Sequence, residues 1–240
     1  MLGCLSPATP HRASTRRRVR RILIVATLAA IALAATLVVV FELWAARDSE
    51  PARSTGRLVA KIDACPSCER GHGYGRFVVE EARRAGLRLP LAAALVHEES
   101  NYRNVFGKNR YGERTNPVLG GPVTEARYRQ MRRALARGYG RQGVGPTQLT
   151  SVELQDEADA LGGAWVPRHN IRVGYRYLSD LIDRHGETKG LLVYNGDLPD
   201  YASRLQATAR SWEDYLAGKS SRPFSARERR LRALWGWIWD

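Results

Sequence analysis

Residues 90–100 read Pro90-Leu-Ala-Ala-Ala-Leu-Val-His-Glu-Glu-Ser100, an apolar run that closes on two adjacent carboxylates. Pro90 suits the first turn of a helix, where its missing N–H has no intrahelical acceptor to serve. Projected at about 100° per residue from Leu91, Leu95 falls near 40°, Ala92 near 100° and Val96 near 140°, so the apolar face centres at roughly 60–70°. Glu99 falls near 80°, inside that face, with Glu98 near 340° on its edge and His97 near 240° directed elsewhere as a solvated or capping histidine. A carboxyl aimed into apolar surroundings is desolvated, which disfavours its charged form and raises its pKa. That is the property a glycosidase acid needs near neutral pH. Periodicity alone equally fits a glutamate buried for packing and paired with an arginine.

Outward from this helix, apolar residues keep a helical period, and no alternating Val/Ile/Thr-rich runs joined by Asn-Gly-type turns occur. A mainly α domain is expected from about Leu58 to Ala217. Helices are predicted at about Gly75–Ala85, Pro90–Asn101, Thr124–Arg137, Ser151–Leu161, Arg168–His185, Thr188–Tyr194 and Pro199–Tyr215. Gly86 and Gly186 stand where C′ glycines belong, and Thr150-Ser-Val-Glu153 fits a capping box. No internal repeat is visible.

Toward the N-terminus, Arg12, Arg16, Arg17, Arg18, Arg20 and Arg21 precede the run Ile22–Phe41, which is apolar apart from Thr27 and Thr36. About 20 such residues span a ~30 Å hydrocarbon core. A single crossing is expected, with residues 1–21 as a cytoplasmic basic segment, 22–44 as the transmembrane helix, 45–57 as a linker and the rest extracytoplasmic. A cleaved secretory signal is the alternative, but its apolar region is typically about 7–15 residues long, and Leu43-Trp44-Ala45-Ala46 makes a poor cleavage site. Both readings export the domain.

The formal charge of +14 points to anionic partners. Setting those six arginines and Glu42 aside from the 38 basic and 24 acidic residues leaves 32 against 23, still +9. Nucleic acid is excluded as the expected partner of an exported domain. Cys65 and Cys68, in Cys-Pro-Ser-Cys, fall on the exported side, where a local disulfide is the modest reading, while Cys4 falls on the other. Zinc would need about four ligands, and no second Cys or His pair supplies them. Residues 218–240 form a basic tail with Trp235, Trp237 and Trp239, which suits either the outer-leaflet headgroups or packing on the domain.

Four ordered blocks carry a resemblance. Ala94-Leu-Val-His-Glu-Glu-Ser-Asn-Tyr102 resembles the catalytic Glu-Ser signature of the soluble lytic transglycosylase and goose-type lysozyme family. Gly143-Val-Gly-Pro-Thr-Gln-Leu-Thr150, Asn170-Ile-Arg-Val-Gly-Tyr-Arg-Tyr-Leu178 and Val193-Tyr-Asn-Gly196 resemble the family's glycine block, its Asn-Ile helix and its Tyr-Asn block. Pro146-Thr147 replaces the usual residue after the first glycines, and Gly196-Asp197 replaces Ala-Gly. The insert Lys108–Arg141, with Arg127, Arg129, Arg132, Arg133, Arg137 and Arg141, resembles that of actinobacterial and phage-associated members; its arginines read as a solvated face or a glycan contact.

The resemblance implies a lysozyme-like α-helical domain behind the single membrane helix, acting on peptidoglycan glycan strands without cofactor or metal. Glu99 would be the catalytic acid/base, with Ser100, Gln148, Tyr194 and Asn195 binding substrate and Tyr175 and Tyr177 packing. It implies a lytic transglycosylase, which cleaves the MurNAc-β-1,4-GlcNAc bond with one carboxyl and closes a 1,6-anhydro ring. The rivals are a goose-type hydrolase, in which Glu113, Asp156, Asp159 or Asp197 positions water, and a non-catalytic glycan-binding scaffold of a cell-envelope machine.

Overall fold

A computed structural model describes residues 54–68, 73–108, 114–196, 198–226 and 228. The chain divides into two compact units, Met1–Ser54 and Thr55–Asp240; only Ser54 of the first is among the described residues. The expected basic segment, the membrane stretch Ile22–Phe41, Cys4, Glu113, Asp197 and the three tail tryptophans lie outside them. Among the described residues no helix is long and apolar enough to cross a membrane.

The second unit is mainly α. The helices are α1 (residues 54–63), α2 (Gly75–Arg84), α3 (Leu89–Ser100), α4 (Glu125–Ala136), α5 (Val152–Ala160), α6 (Pro167–His185), α7 (Glu187–Tyr194) and α8 (Tyr201–Leu216). Only isolated β-bridges join the connecting loops among the described residues: Val105 to Pro122, Phe106 to Val144 and Val144 to Leu149. Helix α1 begins inside the stretch expected as linker.

The helix ends follow local chemistry. After α2, Leu87 N–H bonds to Ala82 O at 3.0 Å and Gly86 N–H to Arg83 O at 3.3 Å, a Schellman closure that needs the positive φ of Gly86. The Thr124 hydroxyl caps α4 by accepting from Arg127 N–H. The start of α5 differs by one residue from the expected capping box: Ser151, not Thr150, is the N-cap and accepts from Leu154 N–H at 3.2 Å. The Thr150 hydroxyl instead donates to Gln148 O at 3.1 Å.

Helix α3 is the axis of the unit. Leu91 through Val96 are all at most 2% exposed, so the helix is enclosed on every side, not along one stripe. Three consecutive alanines, Ala92–Ala94, let neighbours approach closely, and the hydroxyls of Tyr175 and Tyr102 donate to Ala92 O and Ala93 O at 2.8 and 3.2 Å. Tyr175 is thus a buried packing residue, as expected. His97 is not solvated: it is buried on the face away from Glu99, where Trp212 Nε1–H donates to its Nδ1 at 3.2 Å. The projection failed for His97 because α8 covers the side of α3 taken as free.

Two apolar clusters fill the unit. The larger joins α2, α3, α6, α7 and α8 around Leu91, Leu95, Ile171, Leu178, Leu191 and Trp212; the smaller holds Phe106, Tyr128, Met131, Val144, Leu149 and Val173 beneath α4 and α5. Fully burying one such leucine contributes about 1.5–3 kcal/mol. Polar staples tie the elements together. Buried Glu81 of α2 meets Arg168 and Arg172 of α6 at 3.1 and 2.9 Å and Arg84 at 2.9 Å. Burial alone would raise the Glu81 pKa, but hydrogen bonds from Arg172 and Arg168, with the charge of Arg84 nearby, hold it below the usual carboxylate range.

A disulfide joins Cys65 to Cys68. Close to it in space, Ser67 Oγ–H donates to Pro223 O at 2.5 Å. From there residues 223–226 run across the unit as a strap, and Glu228 is bonded to it. Phe224 N–H bonds to Ser211 Oγ at 2.8 Å, Ala226 N–H bonds to Glu98 Oε1 at 2.6 Å, and Glu228 Oε2 stands 3.7 Å from His97 Nε2. Ser225 and Glu228 close a reciprocal capping pair on the strap itself. This end of the chain, read from sequence as part of a separate tail from residue 218, is fastened to the domain as far as Glu228.

Candidate active site

The reactive candidate stands at the C-terminal end of α3, where Asn101 and Tyr102 turn the chain through left-handed φ values of 53° and 60°. The Ser100 hydroxyl is spent inside that turn, donating to Val96 O and accepting from Arg103 N–H, both at 3.2 Å. Ser100 therefore secures the end of the helix that carries Glu99.

The wall facing this helix end is the glycine loop. Val144 and Leu149 exchange both backbone hydrogen bonds, at 3.1 and 3.0 Å, and Gln148 N–H closes the intervening turn on Gly145 O at 3.2 Å. Helix α6 grips the loop through residues four apart. Asn170 Nδ2–H donates to Val144 O at 2.7 Å, and Asn170 Oδ1 accepts from Thr147 N–H at 3.0 Å. One turn on, Gly174 lies so close that a Cβ there would meet Thr147 Oγ1 at 2.3 Å. The Asn-x-x-x-Gly spacing of α6 thus places an amide that reads loop backbone beside a residue with no side chain to obstruct it. Thr147 fits this arrangement because its buried hydroxyl has Asn170 O at 3.2 Å and Asn170 Oδ1 at 2.9 Å as acceptors.

Gln148 sits at φ 51° with its Nε2 donating to Val105 O at 3.0 Å and Gly145 O at 2.8 Å. It lines the groove while holding two loops together. The Tyr194 hydroxyl donates to Thr147 O at 2.9 Å, and the Tyr177 ring lies 5.6 Å from that of Tyr194. Tyr194 therefore supports the loop and does not hydrogen-bond the Glu99 carboxylate. Tyr177, expected only to pack, also lines the groove.

Between these walls runs a groove of about 710 Å³ that takes in all five residues singled out from the sequence: Glu99, Ser100, Gln148, Tyr194 and Asn195. Glu99 is half-buried and is the one carboxyl among the described lining residues. Desolvation lifts its pKa to about 7, with the neighbouring Glu98 charge adding to the rise; hydrogen bonds from Tyr201 and Asn195 and the charge of Arg204 act the other way. The Tyr201 phenol donates to Glu99 Oε1. Burial and the Glu99 charge push both the Tyr201 and the Tyr194 phenols well above their ordinary value, so both remain neutral donors. The Asn195 side-chain oxygen is buried with no hydrogen-bond partner among the described residues.

Tyr201 was absent from the site expected from sequence. A faint signal existed: Tyr201, Leu205, Thr208 and Trp212 recur at helical spacing on the buried face of α8, and a phenol on a buried face needs a polar partner. Which partner it finds, 102 residues upstream, is a matter of tertiary structure. Of the four second acids considered, the two among the described residues do not gather here. Asp156 pairs with Arg132 at 2.5 Å, and Asp159 accepts from Tyr128 at 2.8 Å and from Ala164 N–H at 2.9 Å. Neither lines the groove. Of the insert arginines, Arg127, Arg129 and Arg132 are taken up by protein partners, whereas Arg141 faces the groove. Among the described residues no cluster of His, Cys, Asp and Glu could hold a metal ion.

No family model, no curated protein and no solved structure matches this chain.

Proposed function

We propose that this chain is a lytic transglycosylase that cleaves the MurNAc-β-1,4-GlcNAc bond of peptidoglycan. The observation that carries the reading is one carboxyl alone among the described lining residues, its pKa lifted by burial to about 7, in a groove of about 710 Å³. At that pKa Glu99 is protonated in a large fraction of molecules at neutral pH and still basic enough to take a proton back.

The chemistry needs one group in two states. Neutral Glu99 gives its proton to the bridging oxygen as the C1–O bond breaks, while the N-acetyl oxygen of the same sugar bonds to C1 and takes up the positive charge. Glu99, now a carboxylate, removes the proton from the C6 hydroxyl. The freed oxygen attacks C1, displaces the acetamido oxygen and closes the 1,6-anhydro ring. Glu99 ends protonated and no water is consumed. Tyr201 engages Oε1, which leaves the other carboxyl oxygen to carry the proton.

A hydrolase of this bond commonly uses two carboxyls, about 5–5.5 or 6.5–9.5 Å apart. Support for the single-acid route comes from Glu99 being alone among the described lining residues and from the commitment of Asp156 and Asp159 to other partners. The same reading places the domain outside the cell membrane with Ile22–Phe41 as its anchor, a setting in which the Cys65–Cys68 disulfide persists.

Purified sacculi incubated with the full-length protein should release fragments that mass spectrometry identifies as 1,6-anhydro ends, and Glu99→Gln should release none. Reducing ends in their place would establish the hydrolase. Wild-type protein that binds strands without cutting them would establish the scaffold.

A further inference from the structure

Three cations line the groove beside Glu99: Arg103, Lys108 and Arg141. They come from separate places, the first just after α3, the second at the start of the long insert and the third at its end. All three are exposed residues, and no acidic side chain except Glu99 lines the same space among the described residues. The described lining of the groove therefore carries a net positive charge whether or not Glu99 is ionised.

Among cations, a different one has the leading charge effect on Glu99. The cation whose charge lowers the Glu99 pKa is Arg204, which stacks over Tyr201 and does not line the groove. Nor does the fold employ all three of the lining cations. Arg103 is held by its Nε–H on Ser100 O at 2.9 Å, which fixes its stem at the end of the catalytic helix. Arg141 is coupled to Glu153 only through space. Unlike Arg127, Arg129 and Arg132, whose guanidiniums are engaged by carbonyls and carboxylates, Lys108 and Arg141 are in no ion pair with a described residue. An uncharged sugar chain offers such a set neutral hydroxyl and carbonyl acceptors but no charge to match its own. A like-signed cluster in a concave site raises the local concentration of anions and orients them on arrival.

We propose that the Arg103–Lys108–Arg141 side of the groove is a subsite for an anionic substituent of the glycan strand, so that the preferred substrate is a charged strand and not the bare polysaccharide. The inference rests on the glycan-strand reading of the same groove. Its recognition chemistry is carboxylate or phosphate. On a wall strand the first comes from peptide side arms and the second from a phosphorylated sugar hydroxyl.

The test uses binding, so that it does not depend on cleavage. Full-length Glu99→Gln protein is titrated with three glycan preparations of matched length: strands with peptide arms, the same strands stripped of peptide with the lactyl carboxylates so freed capped as amides, and the stripped, capped strands phosphorylated on a sugar hydroxyl. The charged strands should bind about fivefold or more tighter than the stripped strand at low salt, the scale of two or three exposed charge contacts, and the margin should narrow as salt is raised. A peptide-arm preference identifies carboxylate as the ligand; a preference for the phosphorylated strand identifies phosphate. In Glu99→Gln/Lys108→Gln/Arg141→Gln the charged-to-stripped ratio should fall toward one. Equal binding of the three wild-type-groove preparations, or a preference that survives the two added substitutions, overturns the subsite. Failure of the wild-type protein to cut any strand would instead refute the enzymatic proposal and leave this readout intact.

Discussion

Removal of one oxygen, in Tyr201→Phe, tests the physical basis of the reactive carboxyl. The phenol donates to Glu99 Oε1 and stabilises the ionised form against the desolvation that lifts the pKa to about 7. A hydrogen bond to a charged group contributes roughly 1.5–3 kcal/mol, and about 1.36 kcal/mol corresponds to one pH unit. Because the protonated carboxyl keeps part of that bond, the lower end applies: the titration midpoint should climb by about one pH unit, to near 8. The acid step requires protonated Glu99, so the alkaline limb of kcat/KM should move to higher pH even as the maximum falls. The assay is the pH profile of sacculus solubilisation by full-length protein, paired with infrared detection of the Glu99 carboxyl. Tyr194→Phe is the control, since that hydroxyl serves Thr147 O, and its limb should stay in place. An alkaline limb that fails to move in Tyr201→Phe, or that moves down, refutes the account of how Glu99 is held.

Two further outcomes concern the scaffold. Glu81→Gln removes a buried acceptor shared by Arg84, Arg168 and Arg172 and should cost about 2–3 kcal/mol in denaturant unfolding, less than a fully buried pair because the guanidiniums remain partly exposed. Since the folded state holds Glu81 below its unfolded value, the contribution is present above the unfolded carboxylate range and is lost as pH falls through the folded value. The gap between variant and wild type should close in acid. Gly145→Ala places a Cβ 2.4 Å from Asn170 Nδ2 at a φ of +77° and should destabilise by about 2–4 kcal/mol, measured as a lowered thermal midpoint. An unchanged midpoint would mean that Asn170 does not hold the loop as described.

The helical architecture was legible because Pro90, Gly86 and the apolar period act locally, within a few residues of the ends they set. Glu99 was legible for a reason only half correct. The projection placed it on an apolar face, but α3 proves apolar on all faces, and the carboxyl is reachable because it lies at the end of the helix, where the groove opens. The same projection misplaced His97, whose burial depends on Trp212 arriving from α8. The Thr150 capping box failed by one residue because Ser151 competes for the same role. Asn170 and Gly174 stood in a recognisable block, yet what they do is settled by a loop 23 residues upstream of Asn170, and Tyr201 by a contact across 102. Such pairings are set by packing, which spacing along the chain does not encode.

Glu98 and Glu99 are consecutive, yet one faces the groove and the other receives Ala226 N–H and the Thr208 hydroxyl on the opposite flank. Cutting the chain at the end of α8, where the sequence invites a boundary, would strip Glu98 of its backbone donor and His97, two residues from Glu99, of its neighbour Glu228. A fragment made to test the proposed chemistry must therefore extend to Glu228, because a shorter one that failed to act would report a damaged helix end.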